Sequence, residues 1–138
     1  MRACRLSRPA DRSGRTPDRA DLGRLGERLA VAYLERRGYH VLERNWRVGR
    51  YELDLVAESG GTVVFVEVKT RTRGPQPAAH ALSAPQRQHI RRAAEAWIHE
   101  HPGIGQEFRF DLVAVDADGF QGPDIDHIED AFFGEHSI

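Results

Sequence analysis

The sequence contains a single cysteine, Cys4, among its 138 residues. One cysteine cannot form a disulfide framework or a cysteine-based zinc site, so we expect a reducing, cytoplasmic setting. Long hydrophobic runs are also absent: the most apolar stretch, residues 63–66, is far too short to cross a bilayer. The N-terminus is basic, but no apolar segment follows it, so we do not expect a secretory signal.

The chain also lacks a large net charge, because its 20 lysines and arginines nearly balance its 21 aspartates and glutamates. This balance argues against a protein that is strongly basic throughout, but the charges are unevenly distributed. Residues 1–20 carry six arginines and two aspartates without apolar periodicity, and we predict a disordered, Arg-rich tail. The tail is either a phosphate-attracting arm or an uninformative extension. Residues 21–138 have the length of a single domain.

Hydrophobic periodicity predicts an α/β domain with the order α-β-β-β-α-β and a terminal strand. The first helix begins at Asp21 as a capping residue, and the second begins with Pro85 in its first turn. One face of the first helix carries Gly26 beside Glu27, which predicts close approach to a sheet. The predicted bounds are a helix over 21–37, strands over 39–47, 52–57 and 63–69, a helix over 85–101, and strands over 108–115 and 125–128.

The second and third strands are separated by Gly60-Gly61, a pair that tolerates the positive φ of a tight hairpin turn. A two-residue turn would place Asp54 opposite Glu67 and Glu52 opposite Lys69, with all four side chains on one face. Two carboxylates that close cannot both ionise cheaply unless a cation lies between them. The hairpin therefore predicts a site for Mg²⁺ or Mn²⁺.

Lysine is nearly absent: the chain has 19 arginines and one lysine, Lys69. Arginine cannot replace lysine where a compact, deprotonatable ammonium is needed. Beside a metal bound by Asp54 and Glu67, Lys69 could orient a water or offset phosphate charge. Glu27 could supply an auxiliary carboxylate. The alternative is a solvated strand face on which Glu52 and Lys69 form an ordinary cross-strand ion pair.

Several segments, in this order, resemble the YraN family of uncharacterised bacterial proteins. They are G-R-L-G-E-R-L-A-V-A-Y-L-E-R-R-G-Y (23–39), N-W-R (45–47), E-L-D-L-V-A (52–57), V-F-V-E-V-K-T-R (64–71), A-A-E-A-W-I (93–98) and R-F-D-L-V-A-V (109–115). The resemblance implies a restriction-endonuclease-like fold of the PD-(D/E)xK type, a mixed sheet flanked by helices, akin to archaeal Holliday junction resolvases. It also implies metal ligation by Asp54 and Glu67, a catalytic Lys69 and an auxiliary Glu27.

The resemblance has two departures: Tyr51 stands where the family usually has glycine, and Gln86 where it usually has lysine. Polar residues after the catalytic strand and on the second helix are candidates for holding phosphates, namely Arg71, Arg73, Gln86 and Arg87. The expected activity is metal-dependent hydrolysis of DNA, with branched intermediates as one substrate class. The alternatives are a non-catalytic nucleic-acid-binding module and a partner-dependent or adaptor protein. A homodimer would suit a junction-cutting enzyme, although no heptad or apolar patch demonstrates one.

Overall fold

The computed structural model describes residues 19–71, 82–118 and 122–131. The predicted tail up to residue 18 and Arg73 lie outside this part of the chain. The elements follow the predicted order, with each boundary within three residues of its predicted position. They are α1 (Arg19–Arg36), β1 (His40–Val48), β2 (Tyr51–Ser59), β3 (Thr62–Arg71), α2 (Ala84–Glu100), β4 (Glu107–Asp116) and β5 (Asp124–Ile128).

The five strands form one mixed sheet in the order β1-β2-β3-β4-β5. β3 and β4 are parallel, and the other three neighbouring pairs are antiparallel. A parallel pair needs a long crossover connection, which here contains α2. This mixed sheet, with one helix on each face, confirms the predicted restriction-endonuclease-like α/β fold.

The turn between β2 and β3 has the predicted two-residue geometry. Gly60 and Gly61 have φ angles of 58° and 84°, which L side chains rarely adopt. Positive φ at both central positions is the mark of a type I′ turn, whose twist matches that of the flanking strands. The ladder runs from Ser59 opposite Thr62 to Leu55 opposite Val66. The predicted register of the hairpin is therefore confirmed for these residues.

Each face of the sheet has its own hydrophobic core. The core under α2 is built around Trp97, which is 1% exposed, and Phe65, whose ring it meets edge-on at 5.8 Å. The core under α1 contains Leu34 from the helix and alternating valines from β3 and β4, namely Val64, Val66, Val113 and Val115. Because both faces of the central strands are buried, the continuous apolar run at the start of β3 suits a central position in the sheet.

The small face of α1 makes the close approach that the sequence predicts. A Cβ atom added to Gly26 would lie 1.8 Å from Thr70 Oγ1 and 2.9 Å from Thr70 Cβ. No larger side chain fits at this position unless the helix or Thr70 moves. The glycine therefore fixes the distance between α1 and the end of β3, and with it the position of Glu27, the next residue.

The helix starts differ in detail from the prediction. α1 begins at Arg19, so Asp21 lies within its first turn, where its carboxylate pairs with Arg24. The prediction that Asp21 caps the helix is therefore wrong. α2 is capped by Ser83, which forms a reciprocal capping box with Gln86. Over the described ranges, no helix combines the length and apolar character needed to cross a membrane.

Candidate functional site

The backbone ladder of the β2–β3 hairpin ends just before the predicted acidic residues. Beyond the Leu55–Val66 pair, the amide of Val68 donates to Oδ2 of Asp54 at 2.9 Å. The side chain of Asp54 thus occupies the place of a backbone acceptor between the two strands. Its carboxylate is held at the mouth of the hairpin, within hydrogen-bonding reach of residues on β3.

Asp54 and Glu67 come together as the register predicts, close enough for a side-chain hydrogen bond between their carboxyl groups. Since two ionised carboxylates both lack a donor, this bond requires a proton on one of them. Burial, followed by the charge of Asp54, raises the pKa of Glu67 to about 9. The side chain of Glu67 is only 18% exposed. The pair therefore carries less than its full negative charge near neutral pH.

Lys69 lies beside this pair. Its Nζ atom is 3.8 Å from Glu67 Oε2, and its side chain is 28% exposed. Glu52, the residue predicted opposite Lys69, instead pairs with Arg47 of β1 at 3.2 Å and is half exposed. Glu52 and Lys69 therefore each have a different partner from the one expected if they formed an ordinary cross-strand ion pair. The single lysine is directed to the carboxylate pair.

Glu27 approaches the pair from α1, although no sequence register connects the two elements. Burial, and then the charge of Asp54, raises the pKa of Glu27. Asn45 of β1 holds it in place: with its amide nitrogen turned towards the helix, Asn45 donates to both carboxylate oxygens, at 2.7 and 3.3 Å. Sequence analysis did not identify Asn45 as a site residue. The sequence feature that could have identified it is its place in the N-W-R motif, residues 45–47.

Asn45 also marks a change in the strands themselves. Its φ is +50°, a left-handed conformation that asparagine tolerates better than most residues. In the paired strand, Leu55 belongs to the core under α1, but Leu53 belongs to the core under α2. Residues two apart on a regular strand share one face, so the faces are exchanged here. Asp54 lies next to this exchange and interacts with both Glu27 and Glu67.

Three of the predicted phosphate-binding residues are described. Arg71 ends β3, two residues after Lys69. Gln86 uses its side-chain oxygen to accept from the Ser83 amide at 2.8 Å, which gives it a structural task in the helix cap. Arg87 donates to the carbonyl of Leu82 at 3.1 Å. Of the three, Arg71 is the one on the same strand as Glu67 and Lys69. The roles of all three in binding phosphate remain predictions.

Few side chains at this site could act as ligands of a metal ion. Within the described ranges, no three or more His, Cys, Asp or Glu side chains converge closely enough to form a metal-binding group. Asp54 and Glu67 form a pair, with Glu27 acting on Asp54 only through its charge. Two carboxylates suit Mg²⁺, which keeps several waters and commonly takes one or two carboxylates together with substrate phosphate oxygens.

We expect the substitution Glu67→Gln to stabilise the metal-free protein above neutral pH. A carboxyl group whose pKa is raised on folding contributes stability below its unfolded pKa and loses it as pH rises towards about 9. Glutamine keeps the shape without this loss, so the variant should gain roughly 0.5–2 kcal/mol at pH 8, a gain typical of relieving a strained site. Urea unfolding in EDTA between about pH 5 and pH 9 measures the difference.

The matched control is Glu35→Gln, which neutralises an exposed glutamate of α1. It should change the free energy of unfolding by less than about 0.5 kcal/mol at every pH. The gain from Glu67→Gln should shrink as the pH falls towards 5 and largely disappear below the unfolded pKa of about 4.3, where the wild-type carboxyl is protonated in both states. A variant less stable than the wild type at pH 8 would show that the buried carboxyl is not strained.

Comparisons with known proteins extend over most of the chain. The family model described as Uncharacterised protein family UPF0102 matches residues 26–115. A UPF0102 protein of Geobacter metallireducens is 45% identical over 112 residues, which cover 80% of this chain and 91% of that protein. One from Mycolicibacterium vanbaalenii is 42% identical over 83% of this chain and 95% of its own length. One from Anaeromyxobacter dehalogenans is 43% identical, covering 85% and 87%.

Proposed function

This chain belongs to the Uncharacterised protein family UPF0102, the YraN family, and we propose that it is a metal-dependent nuclease that hydrolyses phosphodiester bonds in DNA. One observation carries the proposal. Two carboxyl groups from adjacent strands, Asp54 and Glu67, are close enough for a side-chain hydrogen bond, and Nζ of the chain's single lysine lies 3.8 Å from Glu67 Oε2. An ordinary ion pair with Lys69 would need one carboxylate, whereas two are present here.

The donor set fits a hard divalent cation. Burial and the nearby charge of Asp54 disfavour the ionised form of Glu67, and a cation between them would reverse this effect. Asp54 and Glu67 would hold Mg²⁺ or Mn²⁺. When bound, such a cation polarises a phosphate and lowers the pKa of its water. Glu27 interacts with Asp54 through charge and would contribute a third acid to the same site.

The residues around the pair have separable tasks. The Val68 amide fixes the orientation of the Asp54 carboxylate. Lys69, partly exposed at 3.8 Å from Glu67, is placed to donate to an attacking water or to a phosphate oxygen. Asn45 holds Glu27 through two contacts with its carboxylate. The arrangement supports hydrolysis, because it brings together two carboxyl groups that could bind a cation and a lysine ammonium that could assist a water.

The test measures cation binding and cleavage together. The full chain is incubated with Mn²⁺, Mg²⁺ or EDTA and with labelled single-stranded, duplex, flap and four-way-junction DNA, alongside RNA. A ligand that binds only the native state stabilises it by about 2.7 kcal/mol at 100 times its Kd. We expect Mn²⁺ to raise the melting temperature of the wild type and to support DNA cleavage, and Asp54→Asn to abolish both effects.

Asp126→Asn is the matched control, since Asp126 is an exposed carboxylate on β5, at the far edge of the sheet. It should leave both effects intact. Cleavage that persists in Asp54→Asn would contradict the proposed site. Metal-dependent stabilisation and DNA binding without cleavage of any substrate would favour the non-catalytic binding module instead.

A further inference from the structure

An aromatic and cationic surface lies at the start of β2. The rings of Tyr51 and His89, from β2 and α2, meet edge-on with centroids 5.0 Å apart. The Arg50 guanidinium lies over the Tyr51 ring at 5.4 Å from its centroid, and Arg50 also donates to the Tyr51 hydroxyl at 3.4 Å. Arg92 lies three residues after His89, close to one turn along α2. We call Tyr51, His89, Arg50 and Arg92 the Tyr51 platform.

The platform is open to solvent. His89, Arg50 and Arg92 are exposed, and Tyr51 is partly exposed, with one side packed against the core under α2. The Arg50 hydrogen bond, then the charges of Arg50 and Arg92, lower the pKa of Tyr51. Both cations therefore act on one ring at the protein surface.

The platform lies beside the candidate nuclease site. Tyr51 precedes Asp54 by three residues, a distance of about 10 Å along a strand. The intervening Glu52 is near enough for its charge to raise the pKa of Glu67. Tyr51 packs against the core that contains Phe65, and Glu67 alternates with Phe65 onto the same side of β3. A nucleotide chain at Glu67 would reach the platform within one or two residues of the scissile phosphate.

The chemistry of the platform suits an unpaired base. Bases stack on aromatic rings and on arginine guanidinium planes, while arginines also attract the adjoining phosphates. In a duplex the faces of the bases are already stacked inside the helix, so only an unpaired nucleotide can offer them. Because Arg50 is exposed and lies over the Tyr51 ring, an arriving base would stack on its guanidinium plane or take its place against the ring.

We propose that the Tyr51 platform binds an unpaired nucleobase next to the phosphate addressed by Asp54, Glu67 and Lys69. The preferred substrate is then DNA with a single-stranded segment. This inference rests on the proposed nuclease function for its position, but base binding is measured separately from cleavage.

The experiment measures binding by the full chain in EDTA, where the absence of a divalent metal prevents metal-dependent cleavage. The probes are a single-stranded DNA oligonucleotide containing 2-aminopurine, whose fluorescence falls when the base stacks, and a blunt duplex of the same sequence. Tyr51→Leu should weaken single-strand binding by roughly 5- to 100-fold, the range for loss of one stacked base. Tyr51→Phe should bind within about threefold of the wild type, because it keeps the ring.

Further variants separate stacking from charge and from folding. Arg50→Gln should weaken single-strand binding more than Arg44→Gln, which removes an exposed arginine from the preceding strand. His89→Ala removes the second ring from an exposed helical position, and should also reduce 2-aminopurine quenching. It keeps the inference testable if Tyr51→Leu unfolds the protein.

The outcomes distinguish this inference from the proposed function. Equal weakening of single-strand and duplex binding by Tyr51→Leu would overturn the platform, as would unchanged quenching in both Tyr51→Leu and His89→Ala. If the wild type still cleaves DNA in that case, the nuclease proposal stands alone. If 2-aminopurine stacks on Tyr51 but no metal supports cleavage, the platform stands and the nuclease proposal fails.

Discussion

Replacing Lys69 by methionine lowers the rate of DNA cleavage by roughly 10²- to 10⁴-fold, the contribution typical of a positioned proton-transfer group. Methionine keeps much of the length of the side chain but has no ammonium to donate to water or phosphate. Asp54 and Glu67 are unchanged, so Mn²⁺ should still raise the melting temperature of the variant. Single-turnover cleavage with enzyme in excess measures the rate, and a thermal melt with and without Mn²⁺ measures binding.

Two further variants control this result. Arg36→Met removes an exposed positive charge at the far end of α1 and should leave the cleavage rate within about twofold. Lys69→Arg should remain severely impaired, because a guanidinium keeps the charge but does not release its proton. Full activity in Lys69→Arg would show that only the charge at this position is needed. Full activity in Lys69→Met would remove Lys69 from the mechanism.

Replacing Asp111 by asparagine destabilises the fold by roughly 3–5 kcal/mol, the cost of breaking a buried ion pair from one side. Asp111 is 0% exposed, and its carboxylate accepts from Arg109 at two positions, each at 2.8 Å. His127 Nε2 lies 2.7 Å from Asp111 Oδ2, and the Asp130 amide donates at 3.0 Å. Asparagine loses the charge and one acceptor, which leaves Arg109 without its buried counter-charge.

The same network determines the response to acid. Burial by itself raises the pKa of Asp111, but the hydrogen bonds from His127, Arg109 and Asp130 outweigh it, so its pKa is lowered. A lowered pKa contributes stability above the unfolded value near 4, and that stability is lost as pH falls through the folded value. Asp111→Asn should therefore flatten the acid limb of the stability curve as well as lower it.

Urea unfolding measures both effects of Asp111→Asn, and its melting temperature should fall by roughly 10–20 °C. The matched control is Glu129→Gln. Glu129 is 61% exposed and lies 3.8 Å from the same Arg109, so its loss should cost less than about 0.5 kcal/mol. A loss below about 1 kcal/mol in Asp111→Asn would mean that the network is not a major source of stability.

The hairpin and its register could be predicted from the sequence because they depend on local rules. Gly60-Gly61 permits one tight turn, and alternation along the strands then assigns each residue to a face. The same rule predicts that Asp54 and Glu67 lie together, and in the structure the two groups interact. The single lysine, Lys69, was singled out by composition alone, and it lies next to that pair.

The contacts of Glu52 differ from those that strand alternation predicts. Strict alternation placed Glu52 opposite Lys69, but the ladder of β2 and β3 ends at Leu55, and Glu52 pairs across the other edge of its strand with Arg47. A strand in the middle of a sheet has two neighbours, and the hairpin rule describes only one of them. The competing neighbour, β1, decided the partner of Glu52.

The sequence by itself determined the order of the elements, the turn, the acidic pair and the lysine, since each follows from periodicity or residue type within a short stretch of chain. Only the tertiary structure decided that Asn45 of β1 binds Glu27 of α1, and that Tyr51 of β2 meets His89 of α2 at the surface. These pairs join separate elements. Their contacts depend on how α1 and α2 pack against a twisted sheet and on the exchange of faces at Asn45. Neither can be predicted from a local sequence pattern.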